Sequence, residues 1–497
     1  MPAGSPTPPI EVAGGASHAI PRTTAPAVEL SDQFLTRLAD ACGSVTTDPA
    51  ALGEASRDWW PLAMVWATQG QVAGLAGAVA RPANVDEVRA VLAVCDDARV
   101  PLTAAGGRSG VCGASVPILG GVVLDLCELS GIRAVDDASL TVDVAAGTFG
   151  DAFEDELQGR HGLTVGHWPQ SMNLSTVGGW LACRGAGQYS TRYGKIEDIV
   201  VGLDVVLADG SLVTTGGPPR QAVGPDLTQV IVGSEGTLGV ITGARLRAHP
   251  RPTHERRAAV SFPTFRDGLE VMRRILRRGA TPAVLRLYDE VETKRNFEVE
   301  ETNALLVLDE GDPGIVDAVM EVVAEECLGA PHLDVALVER WMAHRNDVAA
   351  LEALISKGFV VDTMEVACPW SRMPAVYDAA TAAIAAVPGT MAASAHQSHS
   401  YPDGGCLYFT FAGGVEPDDR DRFYTEAWDA GTRAVLASGG ALSHHHGVGL
   451  NRARFMPEAL GRPAFDVLET LKRALDPNGI LNPGKLGLAS PFGEVTW

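Results

Sequence analysis

Three consecutive histidines, His444, His445 and His446, lie in the segment Ser-His-His-His-Gly-Val-Gly at residues 443–449. Histidine is the side chain best suited to moving a proton near neutral pH. Neighbouring residues on a strand point to opposite faces, so two of these rings share a pocket only on an irregular segment. We interpret the run as a catalytic cluster, with a solvated loop as one alternative. A metal site is the other, although no carboxylate or cysteine stands at ligand spacing, so we predict none.

Three glycine-rich segments are the second chemical signal. They read TAAGGRSGVCG at residues 103–113, GHWPQSMNLSTVGG at 166–179 and GSEGTLGVIT at 233–242. Glycine allows a close approach of the backbone to a ligand, and successive N–H groups in a glycine loop bind a diphosphate well. Each segment alone is equally compatible with a structural turn. The first is neither a dinucleotide fingerprint nor a P-loop, because no long helix and no Gly-Lys-Ser/Thr follow it.

The composition limits the class of protein. The chain has 497 residues, of which 46% are hydrophobic and 20% charged, which predicts a globular protein of two or three domains. Its net charge of −22 repels phosphate backbones and anionic lipids, so we expect neither nucleic acid nor a membrane surface as a partner. We also expect no membrane-spanning segment and no secretory signal. The eight cysteines lack zinc or disulfide spacing, which predicts reduced thiols and a cytoplasmic location.

Together, in this order and at these separations, the glycine-rich segments resemble the PCMH-type FAD-binding domain of the vanillyl-alcohol oxidase / p-cresol methylhydroxylase flavoprotein family. The resemblance implies FAD as the cofactor and adds a contact segment at residues 183–187 (CRGAG). The residues that it places at FAD are Thr103, Ala104, Ala105, Gly106, Gly107, Arg108, Ser109, Gly110, Gln170, Ser171, Met172, Asn173, Leu174, Ser175, Thr176, Cys183, Arg184, Gly185, Ala186, Ser234, Glu235, Gly236, Thr237, Leu238, Gly239 and Val240. Members with covalent flavin commonly carry a histidine where Arg108 stands, so the resemblance implies non-covalent FAD. The alternative for Arg108 is a surface charge.

The resemblance and the pattern of elements divide the chain into four parts. Residues 1–27, rich in Pro, Gly and Ser, are expected to form a disordered tail, and residues 28–250 the FAD-binding domain with its two subdomains. Residues 251–450 alternate helices and strands, which predicts an α+β substrate (cap) domain with an antiparallel sheet covered by helices. Residues 451–497 are expected to return to the FAD-binding domain. The predicted fold class is therefore α+β.

Local patterns predict individual elements. The Asp209-Gly210 pair predicts a hairpin over residues 198–216. Helical spacing of apolar residues predicts helices at 264–279, 371–386 and 417–438, and apolar runs predict strands at 282–287, 303–309, 358–365 and 405–413.

A second level of resemblance concerns the chemistry. Lactate and glycolate dehydrogenases of the family usually carry Gly-Glu-His-Gly where this chain has His-His-His-Gly, which resembles alkylglycerone-phosphate (alkyldihydroxyacetonephosphate) synthase. Residues 284–288, 362–370 and 401–411 share that likeness. It implies that Arg286 shapes the active site, that Tyr408 accepts a proton, and that the three histidines are needed for activity. An arginine can hold an anionic substrate, and a positive cluster can lower the pKa of a tyrosine. The alternatives are a surface-strand charge for Arg286 and a core residue for Tyr408.

Two departures from the synthase pattern keep the reaction open. Where the synthases carry a substrate-contacting arginine, this chain has Leu351, with Arg345 nearby, and residues 480–486 (ILNPGKL) resemble the dehydrogenase branch. We predict an FAD-dependent oxidoreductase that transfers a hydride from a small hydroxy acid or related alcohol to flavin N5. The alternative is synthase-like exchange of an acyl chain for a fatty alcohol without net redox, and a third hypothesis is a flavin-binding protein without turnover. The expected partner is a small anionic substrate, and a homodimer is kept as a possibility.

Overall fold

The computed structural model describes residues 10–23 and 27–495, and the other residues of the predicted N-terminal tail lie outside this part. Within residues 10–23 the prediction of disorder is wrong. Ile10 and Val12 are buried in a hydrophobic cluster that includes Met64. The apolar area that they remove from water offsets the entropy lost when this short segment is ordered.

The first subdomain is built on a four-stranded sheet in which three strands run parallel. In spatial order its strands are Val45–Thr46, Ala78–Ala80, Val122–Asp125 and Leu102–Ala105. Its helices are Asp32–Ala41, Pro49–Ala55, Pro61–Ala67 and Val85–Ala98. The strand Val122–Asp125 is buried along its whole length, as expected for a parallel strand covered on both faces. The first glycine-rich segment follows the carboxyl end of Leu102–Ala105, where parallel sheets usually bind ligands.

The second subdomain contains a five-stranded antiparallel sheet. Its strands in spatial order are Leu212–Thr214, Val200–Val206, Val240–Arg247, Thr141–Ala145 and Ile132–Asp136. Its helices are Gly150–His161, Val177–Cys183, Ser190–Tyr193, Ile196–Ile199 and Leu227–Ile231. The predicted hairpin is confirmed, because Val200–Val206 and Leu212–Thr214 pair antiparallel around Gly210, whose φ is 81°. Two short pairs join Ile20–Pro21 to Gln71–Val72 and Leu163–Thr164 to His249–Pro250.

The third part is a six-stranded antiparallel sheet covered by helices, which confirms the predicted α+β fold. Its strands in spatial order are His254–Phe262, Asn303–Gly311, Val284–Tyr288, Thr390–Ser400, Gly404–Gly413 and Val360–Pro369. Its helices are Phe265–Arg277, Glu290–Phe297, Pro313–Glu326, Ala336–His344, Ala349–Ser356, Met373–Ala385 and Arg420–Ala437. The strand Thr390–Ser400 was not predicted, because its small and polar residues lack the β-branched alternation of an ordinary strand.

The C-terminal segment returns to the first subdomain after the helices Met456–Leu460 and Arg462–Leu475. The backbone N–H of Leu102 donates to Ile480 O at 2.8 Å, and the N–H of Asn482 donates to Leu102 O at 2.7 Å. The last segment therefore lies beside the strand that precedes the first glycine-rich loop. No helix among the described residues has both the length and the apolar character needed to cross a membrane.

A buried polar contact joins the first subdomain to the six-stranded sheet. Trp60 Nε1 donates to Tyr424 Oη at 2.9 Å. The Tyr424 hydroxyl donates to Asp362, which also accepts from Trp428 Nε1 at 3.0 Å. Neighbouring Trp59 is also buried, but its Nε1 makes no hydrogen bond to any described residue. The two adjacent indoles thus differ in hydrogen bonding while both are packed.

This difference predicts unequal effects of two similar substitutions. Trp60→Phe removes a donor from a buried network, whereas Trp59→Phe removes an indole N–H that has no partner among the described residues. Because both changes delete the same atoms, we expect W60F to lower the free energy of unfolding by about 1–2 kcal/mol more than W59F. Denaturant titration followed by fluorescence and circular dichroism measures both. Equal losses would show that the Trp60–Tyr424 contact contributes nothing.

Candidate active site

The three consecutive histidines are held by one buried carboxylate. Glu365, on the strand Val360–Pro369, is 0% exposed and accepts hydrogen bonds from all three histidine backbone N–H groups. Ser443 Oγ donates to the same carboxylate at 2.9 Å. Because a single acceptor collects successive N–H groups, the segment is irregular, as the catalytic interpretation requires.

Arg452 neutralises this carboxylate. Its Nη1 lies 2.9 Å from Glu365 Oε1, and both side chains are 0% exposed. The guanidinium also lies over the Trp428 ring, 5.0 Å from its centroid. Burial by itself would raise the pKa of Glu365, but Arg452 and the backbone donors outweigh it and hold the pKa below its ordinary value. Glu365 therefore stays ionised and keeps its acceptors available.

A second buried glutamate joins the histidine segment to the predicted cofactor loops. Glu235, in the third glycine-rich segment, is 5% exposed and accepts from the backbone N–H groups of residues 448–449. The next two N–H groups, at 450–451, donate to Cys112 O at 2.8 and 3.1 Å. The segment 443–451 is thus held by the six-stranded sheet at one end and by two glycine-rich loops at the other.

An unbroken chain of hydrogen bonds runs from His445 to His399. His445 Nδ1 lies 2.9 Å from His444 Nδ1, and His444 Nε2 lies 3.1 Å from Tyr401 Oη. Tyr401 Oη lies 3.1 Å from Ser190 Oγ, which in turn lies 2.8 Å from His399 Nδ1. His399 lies at a bulge with φ 53°. The other ring nitrogen of His445, Nε2, makes no hydrogen bond to any described residue of the protein. This nitrogen is therefore the free end of the series of hydrogen bonds.

The histidines are neutral at physiological pH. Burial lowers the pKa of His444 and His445 well below the ordinary value, and it lowers that of His446 to about 4. Lys195, whose Nζ donates to His444 O at 2.6 Å, adds to the effect on His444. Neutral imidazoles can accept a proton, so the cluster offers bases rather than cations.

The pKa of Tyr408 is shifted in the direction opposite to that expected from the sequence. Its hydroxyl lies 3.1 Å from Thr363 Oγ1 and 3.5 Å from His446 Nε2. Burial raises the pKa of Tyr408 above its ordinary value, and the charge of Glu365 adds to this. The expected lowering by a positive cluster is wrong, because the histidines are neutral and the nearest charge is negative. Tyr408 remains protonated and can donate a hydrogen bond.

Arg286 reaches the same site through His396. Arg286 Nη2 donates to His396 Nε2 at 2.6 Å, and His396 Nδ1 lies 2.7 Å from Glu292 Oε2. The His396 ring stacks on Tyr408 with centroids 4.9 Å apart. Burial lowers the pKa of His396 to about 4, and Arg286 adds to this, so the imidazole is neutral and its Nε2 accepts from Arg286. Arg286 Nε is buried without a partner among the described residues, so the arginine is not a surface-strand charge.

Sequence reasoning did not identify Glu365, Arg452, His396 or Glu292 as site residues. Glu365 had a weak signal, since it is a carboxylate flanked by apolar residues within the strand-like segment 362–370. His396 and Glu292 are 104 residues apart, and no local pattern relates them. Such residues become visible only when the sheet register places them together.

The fold also brings a cysteine beside two of the histidines, which bears on the alternative of a metal site. Ligand atoms of Cys406, His444 and His445 lie within 4.8 Å of one another among the described residues. Sequence spacing offered no cysteine near the histidines, yet the strand Gly404–Gly413 brings Cys406 beside them. Both histidine Nδ1 atoms already contact each other at 2.9 Å, so the existing hydrogen bond accounts for their approach.

The glycine-rich segments form a backbone-lined cradle. A Cβ atom on Gly107 would lie 1.9 Å from Leu174 O, and one on Gly106 would lie 2.2 Å from Thr176 Oγ1, so only glycine lets the first two segments touch. The backbone N–H groups of residues 106–109 donate no hydrogen bond within the described part of the chain. Neighbouring free N–H groups in a glycine loop fit a diphosphate, so the residues present suit FAD.

Several side chains predicted to contact FAD serve the fold instead. Met172, Leu238 and Val240 lie in hydrophobic cores, so only their backbone can face a cofactor. Ser175 Oγ accepts from Trp180 Nε1 at 2.7 Å. Gln170 is exposed and donates to Asp347 O at 3.2 Å. At these positions the resemblance located a segment of backbone rather than a set of side-chain contacts.

Arg108 is buried rather than a surface charge. It is 9% exposed, and its Nη1 donates to Asp125 Oδ2 at 3.2 Å. Its φ of 51° places it in the left-handed region, where a non-glycine residue is strained. The surface-charge alternative is therefore wrong, and the side chain is held beneath the first glycine-rich loop.

Leu351 lies away from these groups. It is partly buried and packs against the cluster that contains Ile10 and Val12. An apolar residue suits this position, because the helix Ala349–Ser356 covers the N-terminal segment here. Packing therefore gives a reason for leucine at this position, where the synthases carry an arginine.

Glu365 supplies the sharpest test of this geometry. Glu365→Gln turns one acceptor oxygen into a donor and leaves Arg452 buried without its counter-charge, so we expect the free energy of unfolding to fall by about 3–5 kcal/mol. Amide hydrogen exchange at residues 444–446 should become faster. Glu310→Gln is the matched control, because Glu310 is half-buried and accepts from Tyr193 Oη at 2.8 Å. Unchanged exchange at 444–446 in E365Q would contradict the assignment.

Two protein-family models match successive parts of the chain. A model described as "FAD binding domain" matches residues 76–216, and one described as "FAD linked oxidases, C-terminal domain" matches residues 251–486. Together they cover most of the chain.

Curated relatives span several activities. The chain is 31% identical over 406 residues to the uncharacterized FAD-linked oxidoreductase YgcU of Escherichia coli O157:H7, covering 78% of this chain and 83% of the relative. It is 28% identical over 458 residues to alkyldihydroxyacetonephosphate synthase of Dictyostelium discoideum, covering 84% and 74%. It is also 28% identical over 434 residues to glycolate oxidase subunit GlcD of Bacillus subtilis (strain 168), covering 84% and 90%.

Solved structures share the fold. An alkyldihydroxyacetonephosphate synthase structure superposes with a TM-score of 0.76 at 24% identity, covering 96% of this chain and 90% of that one. A substrate-bound p-cresol methylhydroxylase structure gives a TM-score of 0.76 at 17% identity, covering 94% and 99%. The glycine cradle, the shared fold and the matching family models agree, and the chain belongs to the FAD-linked oxidoreductases with a PCMH-type FAD-binding domain, with FAD as its cofactor.

Proposed function

We propose that this protein oxidises a small hydroxy acid or a related alcohol, with FAD held non-covalently. The observation that carries the proposal is a neutral histidine cluster joined by Glu235 to the glycine-rich loops, with Arg286 beside it and no carboxylate paired to that arginine in the described chain. Bound FAD supplies the electron chemistry by accepting a hydride from the carbon that bears the hydroxyl. A cytoplasmic location and a homodimer stay predictions.

Arg286 holds the anionic group of the substrate in this proposal. Its Nη2 is engaged by His396 Nε2, which fixes the guanidinium plane, while its Nε remains an unused donor. Glu292 orients His396 through Nδ1 at 2.7 Å. A planar guanidinium fixed in this way matches a carboxylate better than a flexible lysine does.

His445 takes the hydroxyl proton. Its Nε2 has a free lone pair if Nδ1 donates to His444 Nδ1, His444 Nε2 donates to Tyr401, Tyr401 donates to Ser190, and Ser190 donates to His399. With the donors in this order, each of the four hydrogen bonds forms between neutral groups. Tyr408 is protonated and acts as a hydrogen-bond donor within the site.

The proposed cofactor contacts follow from the cradle. The N–H groups of residues 106–109 would hold the diphosphate. Glu235 positions the third glycine-rich segment against the histidine segment, since a Cβ on Gly447 would lie 2.4 Å from Glu235 Oε1. The buried Arg108 supports the first loop from below through Asp125.

Synthase-like exchange is the second candidate. It is supported by the His-His-His-Gly segment and by the 28% identity to the Dictyostelium discoideum synthase. Two observations weigh against it. Tyr408, the proton acceptor that the resemblance implies, has a raised pKa, and Leu351 packs on the N-terminal segment.

The visible spectrum of the FAD-loaded protein under anaerobic conditions tests the proposal. We expect at least one member of a panel of 2-hydroxy acids to bleach the flavin bands, because hydride transfer reduces the flavin. Arg286→Ala should lower turnover by about 30–5000-fold with the flavin still bound, because truncating one partner of a buried charged contact costs about 2–5 kcal/mol. Loss of flavin from R286A would show that the residue is misplaced. A yellow protein that no hydroxy acid bleaches, but that exchanges acyl chain for fatty alcohol, would favour the synthase.

The pH dependence of kcat/KM tests the histidine assignment. A base must be deprotonated in the free enzyme, and burial holds the pKa of His445 well below its ordinary value and that of His446 at about 4. Activity should therefore persist as the pH falls below 6.5, with its acid limb well below that value. An acid limb centred at or above pH 6.5 would exclude this buried cluster as the base.

A further inference from the structure

Arg345 and Arg286 share one aromatic ring. The Arg286 guanidinium carbon lies 5.7 Å from the centroid of Trp341, and that of Arg345 lies 5.9 Å from it. Arg345 also lies 4.9 Å from the Tyr189 ring and 5.7 Å from the Trp168 ring. Its guanidinium is thus surrounded by three aromatic rings, two from the FAD-binding domain and one from the helix Ala336–His344.

Neither arginine forms an ion pair with a carboxylate in the described part of the chain, although Glu310 lies near enough for the charge of Arg345 to act on its pKa. Nearby arginines do form ion pairs: Arg295 pairs with Glu292 at 2.9 Å, and Arg340 pairs with Glu298 at 3.0 Å. Among the described residues, the one hydrogen bond of the Arg345 guanidinium is a 3.5 Å contact from Nη1 to Gln188 Oε1. In a chain with a net charge of −22, two arginines that contact the same ring and form no ion pair leave room for an anion to complete the site.

The position of Arg345 is also fixed by its backbone. Gln188 Nε2 donates to Arg345 O at 2.9 Å, and Gln188 directly precedes Tyr189 and Ser190. Ser190 belongs to the hydrogen-bonded chain that ends at His445. Arg345 therefore lies on the boundary between the FAD-binding domain and the cap, against the segment that carries Ser190.

We infer that Arg345 forms a second anion-binding subsite and that the substrate carries two anionic groups, one held by Arg286 and the other by Arg345. This inference rests on the proposed function, because it assigns Arg286 to the first anion. The second group is a carboxylate or a phosphate, since a guanidinium binds both through the same planar fork. The aromatic rings around Arg345 stabilise the guanidinium as a cation and leave its donor edge to the ligand. The predicted substrate class is thus a hydroxy acid or alcohol with a second anionic group.

Binding of unreactive anions to the FAD-loaded protein tests the inference. The probes are pentanoate, glutarate and 3-phosphonopropanoate, and the readout is perturbation of the flavin absorbance during titration. In the wild type we expect the two dianions to bind at least about tenfold more tightly than pentanoate. Arg345→Gln should abolish this preference and leave pentanoate affinity within about twofold. Glutarate against 3-phosphonopropanoate shows whether the second group is a carboxylate or a phosphate.

Matched variants distinguish the outcomes. Arg340→Gln, on the same helix, should change nothing, and Arg345→Lys should keep part of the preference and serves as the test if R345Q does not fold. Absence of a preference in the wild type, or its persistence in R345Q, overturns the inference. If hydroxy acids bleach the flavin through Arg286 while R345Q binds every anion normally, only the second subsite fails. If no anion perturbs the flavin and no hydroxy acid bleaches it, the proposed function fails as well.

Discussion

Two buried glutamates, Glu235 and Glu365, hold the segment 443–451, and the rest of the site depends on that constraint. A carboxylate in a protein interior is costly unless donors surround it. Here the donors are the backbone N–H groups of the segment itself, with Arg452 as counter-ion to Glu365. The same bonds that satisfy the carboxylates therefore fix the histidines. Because one glutamate lies in a glycine-rich loop and the other in the six-stranded sheet, they also hold the two domains together at the site.

Burial then decides the protonation of the groups that this constraint brings together. It lowers the pKa of the histidines and raises that of Tyr408, so all of them are neutral near pH 7. A neutral imidazole accepts a proton and a neutral phenol donates a hydrogen bond. The division of roles between His445 and Tyr408 thus follows from a low dielectric environment. Positive charge at the site comes instead from the arginines.

Four of the eleven non-glycine residues with positive φ in the described part of the chain lie in the loops and the strand around the site. Arg108, Arg184, Glu235 and His399 all have φ between 50° and 57°, in the left-handed region that non-glycine residues rarely adopt. Three of them lie in the segments predicted to bind the cofactor, and His399 ends the hydrogen-bonded chain from His445. Such strain persists only where surrounding contacts hold the backbone in place. Here those contacts are the Arg108–Asp125 ion pair and the hydrogen bond that Glu235 accepts from the backbone N–H of Gly449.

The sequence by itself determined the features that depend on neighbouring residues. The Asp209-Gly210 turn located a hairpin, while the glycine-rich segments predict the cofactor loops and the histidine run predicts the catalytic segment, because local backbone requirements are written in consecutive residues. Tertiary structure alone decided that Glu365, His396 and Cys406 join the histidines and that Ile10 is buried. It also reversed the expected pKa of Tyr408. Those outcomes depend on sheet register, on packing between domains and on exclusion of water, which distant residues set together and no local pattern records.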